Sequence, residues 1–286
     1  MSAQQLQGSL AWAPKSSLRA AQRRLVDLGA LVEAGPAGSS RSAVFEPTVA
    51  GRELLALADS LERWIGGGPA GPLPLDALAA QGIVRALAAA WESTVVRTLA
   101  ERPRTLAQLD GCISGVAYPS LKRRLDKLLS IGLIGREDAE SGYDASEWLR
   151  RAAQPLILAV RWERRHDKDA DPLTASEVEA VFLLILPLVE LPGRASGACT
   201  LSVLLSSDGH RSARGVAAVS VEGGKGRTAL SAAGAAEEPE TWALGDVDSW
   251  LAAILEGDAS GLRVRGAKPK LAQRTVAGLH RALFAA

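Results

Sequence analysis

The chain has no asparagine, a single methionine, two cysteines and three histidines among its 286 residues, and aromatic side chains make up 4% of it. Scarce methionine and lysine beside abundant alanine, glycine and arginine are a coding bias, and they speak of the genome and not of the function. The cysteines matter more. Cys112 and Cys199 lie far apart and match no metal or redox spacing, which excludes a disulfide framework and a cysteine-based zinc site and points to two free thiols in a reducing, cytoplasmic compartment. Cys199 begins an expected strand and Cys112 ends an expected short helix, so both are expected to be packed.

His166, His210 and His280 are scattered, with no carboxylate or cysteine at ligand spacing. A metal or nucleophile site is therefore not expected, and the reading is a protein without cofactor and without enzymatic activity. "VEGGKGRTAL" (221–230) lacks the spacing of a phosphate-binding loop and reads as a hairpin turn. Excess charge of either sign is also missing, with 33 Lys and Arg against 32 Asp and Glu, so any basic surface must be local. The longest apolar run, "VEAVFLLILPLVEL" (178–191), carries acids and a proline and is too short to span a bilayer. No membrane insertion is expected, and no stretch near the start has the form of a signal peptide.

What the chain does contain is an internal repeat. "SSLRAAQRRLVDLGALVEAG" (16–35) aligns with "PSLKRRLDKLLSIGLIGRED" (119–138) at an offset of 103, matching Ser17 to Ser120, Leu18 to Leu121, Leu25 to Leu128 and Gly29 to Gly132. Each copy reads as an amphipathic helix ended by a glycine that takes the left-handed cap without a Cβ penalty. A turn-rich hairpin follows, "EAGPAGSSRSAVFEP" (33–47) in the first copy and "REDAESGYDA" (136–145) in the second. A further helix closes each copy, "TVAGRELLALADSLERWI" (48–65) or "SEWLRRAAQPLILAVRWERR" (146–165), with Thr48 over Ser146 and Trp64 over Trp162. There the offset is 98, so the first hairpin is five residues longer.

Before the second copy, "IVRALAAAWESTVVRTLAERP" (83–103) reads as one helix closed by Pro103, and "RTLAQLDGCI" as a short helix with Thr105 as N-cap. Helix, short helix, turn, basic helix, hairpin and helix together predict a winged helix-turn-helix. In the first copy "SAQQLQGSLAWAPKSSL" (2–18) supplies the short helix and turn but the initial helix is lacking, and Gln22 stands where the second copy has Leu125. Composition divides the chain into a first module at 1–66, a Gly/Pro linker at 67–82, a second module at 83–168 and a C-terminal domain at 172–286. That last domain reads as α+β: a hydrophobic helix interrupted at Pro187, an antiparallel sheet from "ACTLSVLLSS", "GVAAVSVEGG" and "GRTALSAA", and two helices around "LRVRG". The expected fold class is mainly α with α+β.

A helix fits the DNA major groove, and in this arrangement its N-terminal half enters. The candidates are Lys15, Ser16, Ser17, Arg19 and Arg23 in the first copy, with Arg41 on its hairpin. In the second copy they are Tyr118, Ser120, Lys122, Arg123, Arg124 and Lys127. Arginine and lysine reach phosphates or guanine edges, and serine and tyrosine suit phosphate oxygens. The plainer alternative for each basic face is a solvated surface. Phe182, Leu186, Trp242, Trp250 and Leu255 are candidate liners of an apolar ligand pocket, or plain core. Trp64, Trp91, Trp148 and Trp162 read as packing residues, and Arg161, Glu163, Arg164 and Arg165 as a solvated helix end.

"TLAQLDGCISGVAYPSLKRRLDKLLSIGLIGRE" resembles the HxlR-type winged-helix transcriptional regulators, and "FEPTVAGRELLALADSLERW" looks like their post-wing segment, with Pro47-Thr48 in place of Leu-Thr. "WALGDVDSWLAAILEGDASGLRVRGAKPKLAQRTVAGLHRALF" is similar to the end of sterol-carrier-protein-like domains. The resemblance implies a tandem winged-helix regulator that binds double-stranded DNA, joined to a sterol-carrier-like domain for a small hydrophobic ligand. It also implies either a homodimer or a monomer whose two copies form an internal pseudo-dimer. The other reading is a hydrophobic-ligand carrier or scaffold whose winged helices bind protein.

Overall fold

The computed structural model describes residues 15–34, 44–92, 94–136, 142–167, 170–191, 197–207, 210–221, 228–231 and 241–284. Among them the chain mixes helices with small sheets, in keeping with an α+β class. Contacts gather it into two compact units, residues 1–61 with 158–171, and residues 62–157 with 172–286.

In the first unit, α1 (Lys15–Asp27) leads into an antiparallel pair, β1 (Leu31–Ala34) and β2 (Val44–Pro47), in which Leu31 faces Pro47. Most of α2 (Val49–Gly66) and the end of α8 (Ala153–His166) complete it. Trp162 of α8 is buried and donates from Nε1 to the Ala50 carbonyl at 2.9 Å.

The second unit repeats this order with more around it. After α3 (Leu78–Glu92), α4 (Val95–Glu101) and α5 (Leu106–Cys112) comes α6 (Tyr118–Ser130), then β3 (Ile134–Gly135), β4 (Asp144–Ala145) and α7 (Glu147–Arg151). Leu121, Leu125 and Leu128 of α6 are buried as one stripe. Thr105 caps α5 in a reciprocal capping box with Gln108.

The repeat holds down to single hydrogen bonds. Leu133 N–H donates to Leu128 O and Gly132 N–H to Leu129 O; Ala30 N–H donates to Leu25 O and Gly29 N–H to Val26 O, the same positions 103 earlier. Both glycines take positive φ, 82° and 67°, the geometry that a Schellman cap requires. Ser146 Oγ donates to Leu133 O at 2.8 Å and accepts from Leu149 N–H; Thr48 Oγ1 accepts from Gly51 N–H and donates to Gly29 O at 2.6 Å, with Ala30 O, the match of Leu133 O, at 3.3 Å. Each hydroxyl thus ties the start of the closing helix to the residues just before the first strand of its own hairpin.

Two expected helices are divided. The one expected over 83–103 breaks after Glu92, and Thr94 adopts φ 60°, an uncommon conformation for a β-branched residue. The one expected over 146–165 breaks at Ala152. Pro155 has no N–H to give Arg151 O, and its ring crowds that carbonyl, so α7 ends at Arg151. The linker beyond α2 is closely fitted, because a Cβ on Gly68 would lie 2.5 Å from the Trp148 ring.

The C-terminal elements belong to the second unit. α9 (Ala175–Ile185) is followed by a 3-10 turn, Leu186–Leu188, where Pro187 ends the helix. A five-stranded sheet runs β7-β6-β5-β8-β9, from β5 (Gly197–Ser207), β6 (His210–Val221), β7 (Thr228–Ser231), β8 (Thr241–Asp246) and β9 (Arg263–Gly266). β5, β6 and β7 pair antiparallel as expected, and β8 joins them parallel to β5, Leu201 opposite Ala243. β8 itself, with alternating burial, is a strand the sequence reading passed over. α10 (Val247–Leu255) and α11 (Pro269–Phe284) close the unit. β6 and β7 pair antiparallel as a hairpin would; residues 222–227 between them, the expected turn, lie outside the described residues. α9 packs against α4, α7 and β6, so it joins the preceding helices to the sheet within one core.

Candidate nucleic-acid interface and an interhelical cleft

α6 starts with Pro119 in its first turn, where a missing N–H costs nothing. Once its leucine stripe is buried, helical geometry turns Lys122, Arg123, Arg124 and Lys127 outward, and all four are exposed. Tyr118 is exposed as well, and Ser120 is half-buried. None of the four cations makes an ion pair among the described residues. Five of the six second-copy candidates therefore lie open to solvent on one helix.

Arg104, just before α5, pairs in antiparallel fashion with Tyr143, just before β4. Arg104 N–H donates to Tyr143 O at 3.0 Å, and Tyr143 N–H to Arg104 O at 2.8 Å. The hairpin after α6 is thereby tied to the segment before α5, which fixes α5, α6 and β3–β4 as one assembly. Arg136 lies over the Tyr143 ring, 5.0 Å from its centroid. Residues 137–141, most of the acidic stretch, lie outside the described residues.

In the first copy Ser16, Ser17, Arg19 and Arg23 are exposed on α1. The Lys15 side chain and all of Arg41 lie outside the described residues. The inner face of α1 differs from that of α6: Leu18 and Gln22 are half-buried, and Leu25 is 36% exposed.

The closing helices exchange tryptophans. Trp64 stacks on Trp148 with centroids 5.0 Å apart, and each Nε1 donates to the other's carbonyl, at 2.8 and 2.7 Å. Ala50, which accepts from Trp162, stands 98 residues before Trp148. The same bond is thus made twice, once in each unit, with donor and acceptor drawn from opposite copies. The expected packing role of Trp64, Trp148 and Trp162 agrees with their burial, while Trp91 is half-buried.

The end of α8 is exposed at Glu163, Arg164 and Arg165, as expected, and it carries a small ionic cluster. Arg165 Nη1 lies 3.0 Å from Glu53 Oε1, and His166 Nε2 donates to Oε2 at 2.9 Å. Burial pushes the Glu53 carboxyl up, but hydrogen bonds from His166 and Arg165 and their charges outweigh it and hold it below the ordinary value. Arg150 is a half-buried counterpart in the second unit, reaching Asp144, Ala100 O and Leu183 O. Burial pulls its guanidinium below the ordinary value, opposed by the Asp144 charge.

Of the apolar candidates, Phe182, Leu186, Trp250 and Leu255 are buried and Trp242 is half-buried. Phe182 meets Trp250 edge to face at 4.8 Å, and Trp250 Nε1 donates to Ser202 O. A cavity of about 260 Å³ nearby is walled by Ala253, Gly257, Ala259, Leu262, Val264, Gln273, Val276 and Ala277, and by none of those five. Cys199 is buried as expected, which pushes its thiol up. Cys112 is exposed, against expectation, and its sulfur accepts from Arg104 Nη1 at 3.5 Å.

A larger cleft of about 390 Å³ lies between α4, α5 and α9. Arg97, Glu101, Arg104, Ser176 and Glu179 face it. Arg97 Nη1 donates to Ser176 Oγ at 3.0 Å, and Arg104 pairs with Glu101. The sequence reading passed over this site. Arg97 and Glu101 share a face of α4, and Ser176, Glu179 and Leu183 a face of α9, but the signal that would join helices 79 residues apart is absent from local patterns. No group of metal-ligating side chains occurs among the described residues.

Comparison with protein-family models, with curated proteins and with solved structures gave no match to this chain.

Proposed function

We propose that the chain is a DNA-binding transcriptional regulator built on two winged helix-turn-helix modules, with α1 and α6 as the helices that enter the major groove. The observation that carries this reading is the exposed basic face of α6, which makes no ion pair among the described residues and is held at a fixed place by α5 and by the Arg104–Tyr143 bridge. In that topology the strand before the second helix pairs with the hairpin after the third, and the bridge stands in for that strand. Four cations on one helix, in a chain whose net charge is only +1, supply the local field that phosphate contacts need.

The repeated Trp–carbonyl bond supports an internal pseudo-dimer, in which two unlike modules address two unlike half-sites. The C-terminal sterol-carrier-like elements, α9 with the sheet, α10 and α11, would form the small-molecule-responsive part. The test is retention of the DNA upstream of the chain's own reading frame in a gel shift with the full-length protein. Retention that competitor DNA of scrambled sequence fails to remove is the expected result. Complete loss to scrambled competitor, or capture of protein partners with no DNA retained, overturns the reading in favour of a protein-binding scaffold.

A further inference from the structure

The cleft between α4 and α9 holds two opposite charges that are not used on each other. Arg97 on α4 and Glu179 on α9 both line it, and neither makes an ion pair among the described residues. The third and fourth charges of the cleft, Glu101 and Arg104, are already paired. Arg97 Nη1 donates to Ser176 Oγ, and its guanidinium pairs with no carboxylate among the described residues. Glu179 shows the complementary want: burial first, and the charge of Glu101 second, push its carboxyl up, which is the state of a carboxylate lacking a cation.

We propose that this cleft binds a free α-amino acid, its carboxylate on Arg97 and its ammonium on Glu179. A planar guanidinium suits a carboxylate, and an isolated carboxylate suits an ammonium. Ala180 and Leu183 of α9 supply an apolar wall for the side chain. The volume of about 390 Å³ falls in the range of small-molecule sites. An anion alone would leave Glu179 unpaired beside added negative charge, and a cation alone would leave the Arg97 guanidinium without a counter-charge. A molecule bearing both charges answers both. This inference goes beyond the DNA reading and does not depend on it.

The experiment is calorimetric titration of the full chain, without DNA, with each of the twenty L-amino acids at millimolar concentration. The amino acid that binds most tightly is then compared with its N-acetyl and C-terminal amide forms. Loss of about tenfold or more in affinity for each blocked form is expected, since each loses one charge-assisted contact. Arg97→Gln should weaken the free amino acid and leave the amide form little changed; Glu179→Gln should do the same toward the N-acetyl form. Should either variant fail to fold, the blocked ligands still decide. No binding by any amino acid, or equal binding of the free and blocked forms, overturns the proposal and leaves the DNA reading to its own test.

Discussion

The two copies of the repeat share their hydrogen-bonded frame and differ in what that frame covers. In the second, the Leu121, Leu125 and Leu128 stripe of α6 is buried, together with Leu109 of α5 and Leu99 of α4. In the first, Gln22 replaces the central leucine and Leu25 is 36% exposed. Caps and hairpin register need only a glycine, a hydroxyl and backbone atoms, so they survive the divergence of the rest. A buried stripe needs helices to lie against it, and in the second copy α4 and α5 supply them; the residues before Lys15 that would do so in the first copy lie outside the described residues. The frame therefore reports a common geometry, and the burial of its leucines reports how closely the second copy is packed.

The sharpest way to break this comparison is truncation at matched positions. Leu125→Ala should destabilise the second unit by about 3 kcal/mol, as buried leucines do, whereas Gln22→Ala should leave the thermal transition nearly unmoved. Equal effects in a denaturant melt would show that the two stripes are covered alike. Next in size is Arg150, whose matched position is Arg52. Arg150→Ala strands a partly buried Asp144 and two carbonyls and should cost about 2–3 kcal/mol. Arg52, exposed and with its side chain bonded among the described residues to Pro47 O at 3.2 Å, should matter little.

The exchanged tryptophans sharpen the comparison from the other side, because there the copies should behave alike. Trp64→Phe and Trp162→Phe each remove one buried indole donor, and each should cost about 1–2 kcal/mol by urea melts. A large effect from one and none from the other would show the repeated bond to be coincidental. The smallest effect belongs to Glu53. Its depressed carboxyl stabilises the first unit fully above the ordinary value of 4.5, and that contribution is lost as pH falls through the lowered value. Glu53→Gln should remove that acid-side slope and cost about 0.5–1 kcal/mol near neutrality. The matched residue, Arg151, pairs along its own helix with Glu147, and its replacement should leave the slope intact.

What was legible in the sequence was whatever is encoded locally. The glycine caps at 29 and 132, the Thr105 N-cap, the α6 stripe and the repeat offsets all follow from residues within a turn or two of each other. What escaped depends on distance along the chain. The Arg104–Tyr143 bridge joins residues 39 apart, and the parallel pairing of β5 with β8 spans the hairpin between them. Neither leaves a periodic mark. Pro155 was visible as a helix breaker, yet the apolar period ran through it and suggested one helix where there are two. The candidate DNA contacts were legible because basic residues off a leucine stripe must face outward. The α4–α9 cleft was not, because its charges come from two helices whose adjacency only the packed core decides.

The central claim, that α6 is the principal DNA-contacting helix, is tested most directly by the salt dependence of DNA affinity. Fluorescence anisotropy with a labelled upstream fragment should be run from low to high salt for the parent chain, for a Lys122/Arg123/Arg124 triple alanine and for an Arg19/Arg23 double alanine. Each lost phosphate contact lowers the logarithmic slope by about 0.9. The account predicts a slope reduced by about 2–3 in the α6 variant, a smaller reduction in the α1 variant, and weaker binding in both. An unchanged slope and affinity in the α6 variant, with its fold intact, would contradict it.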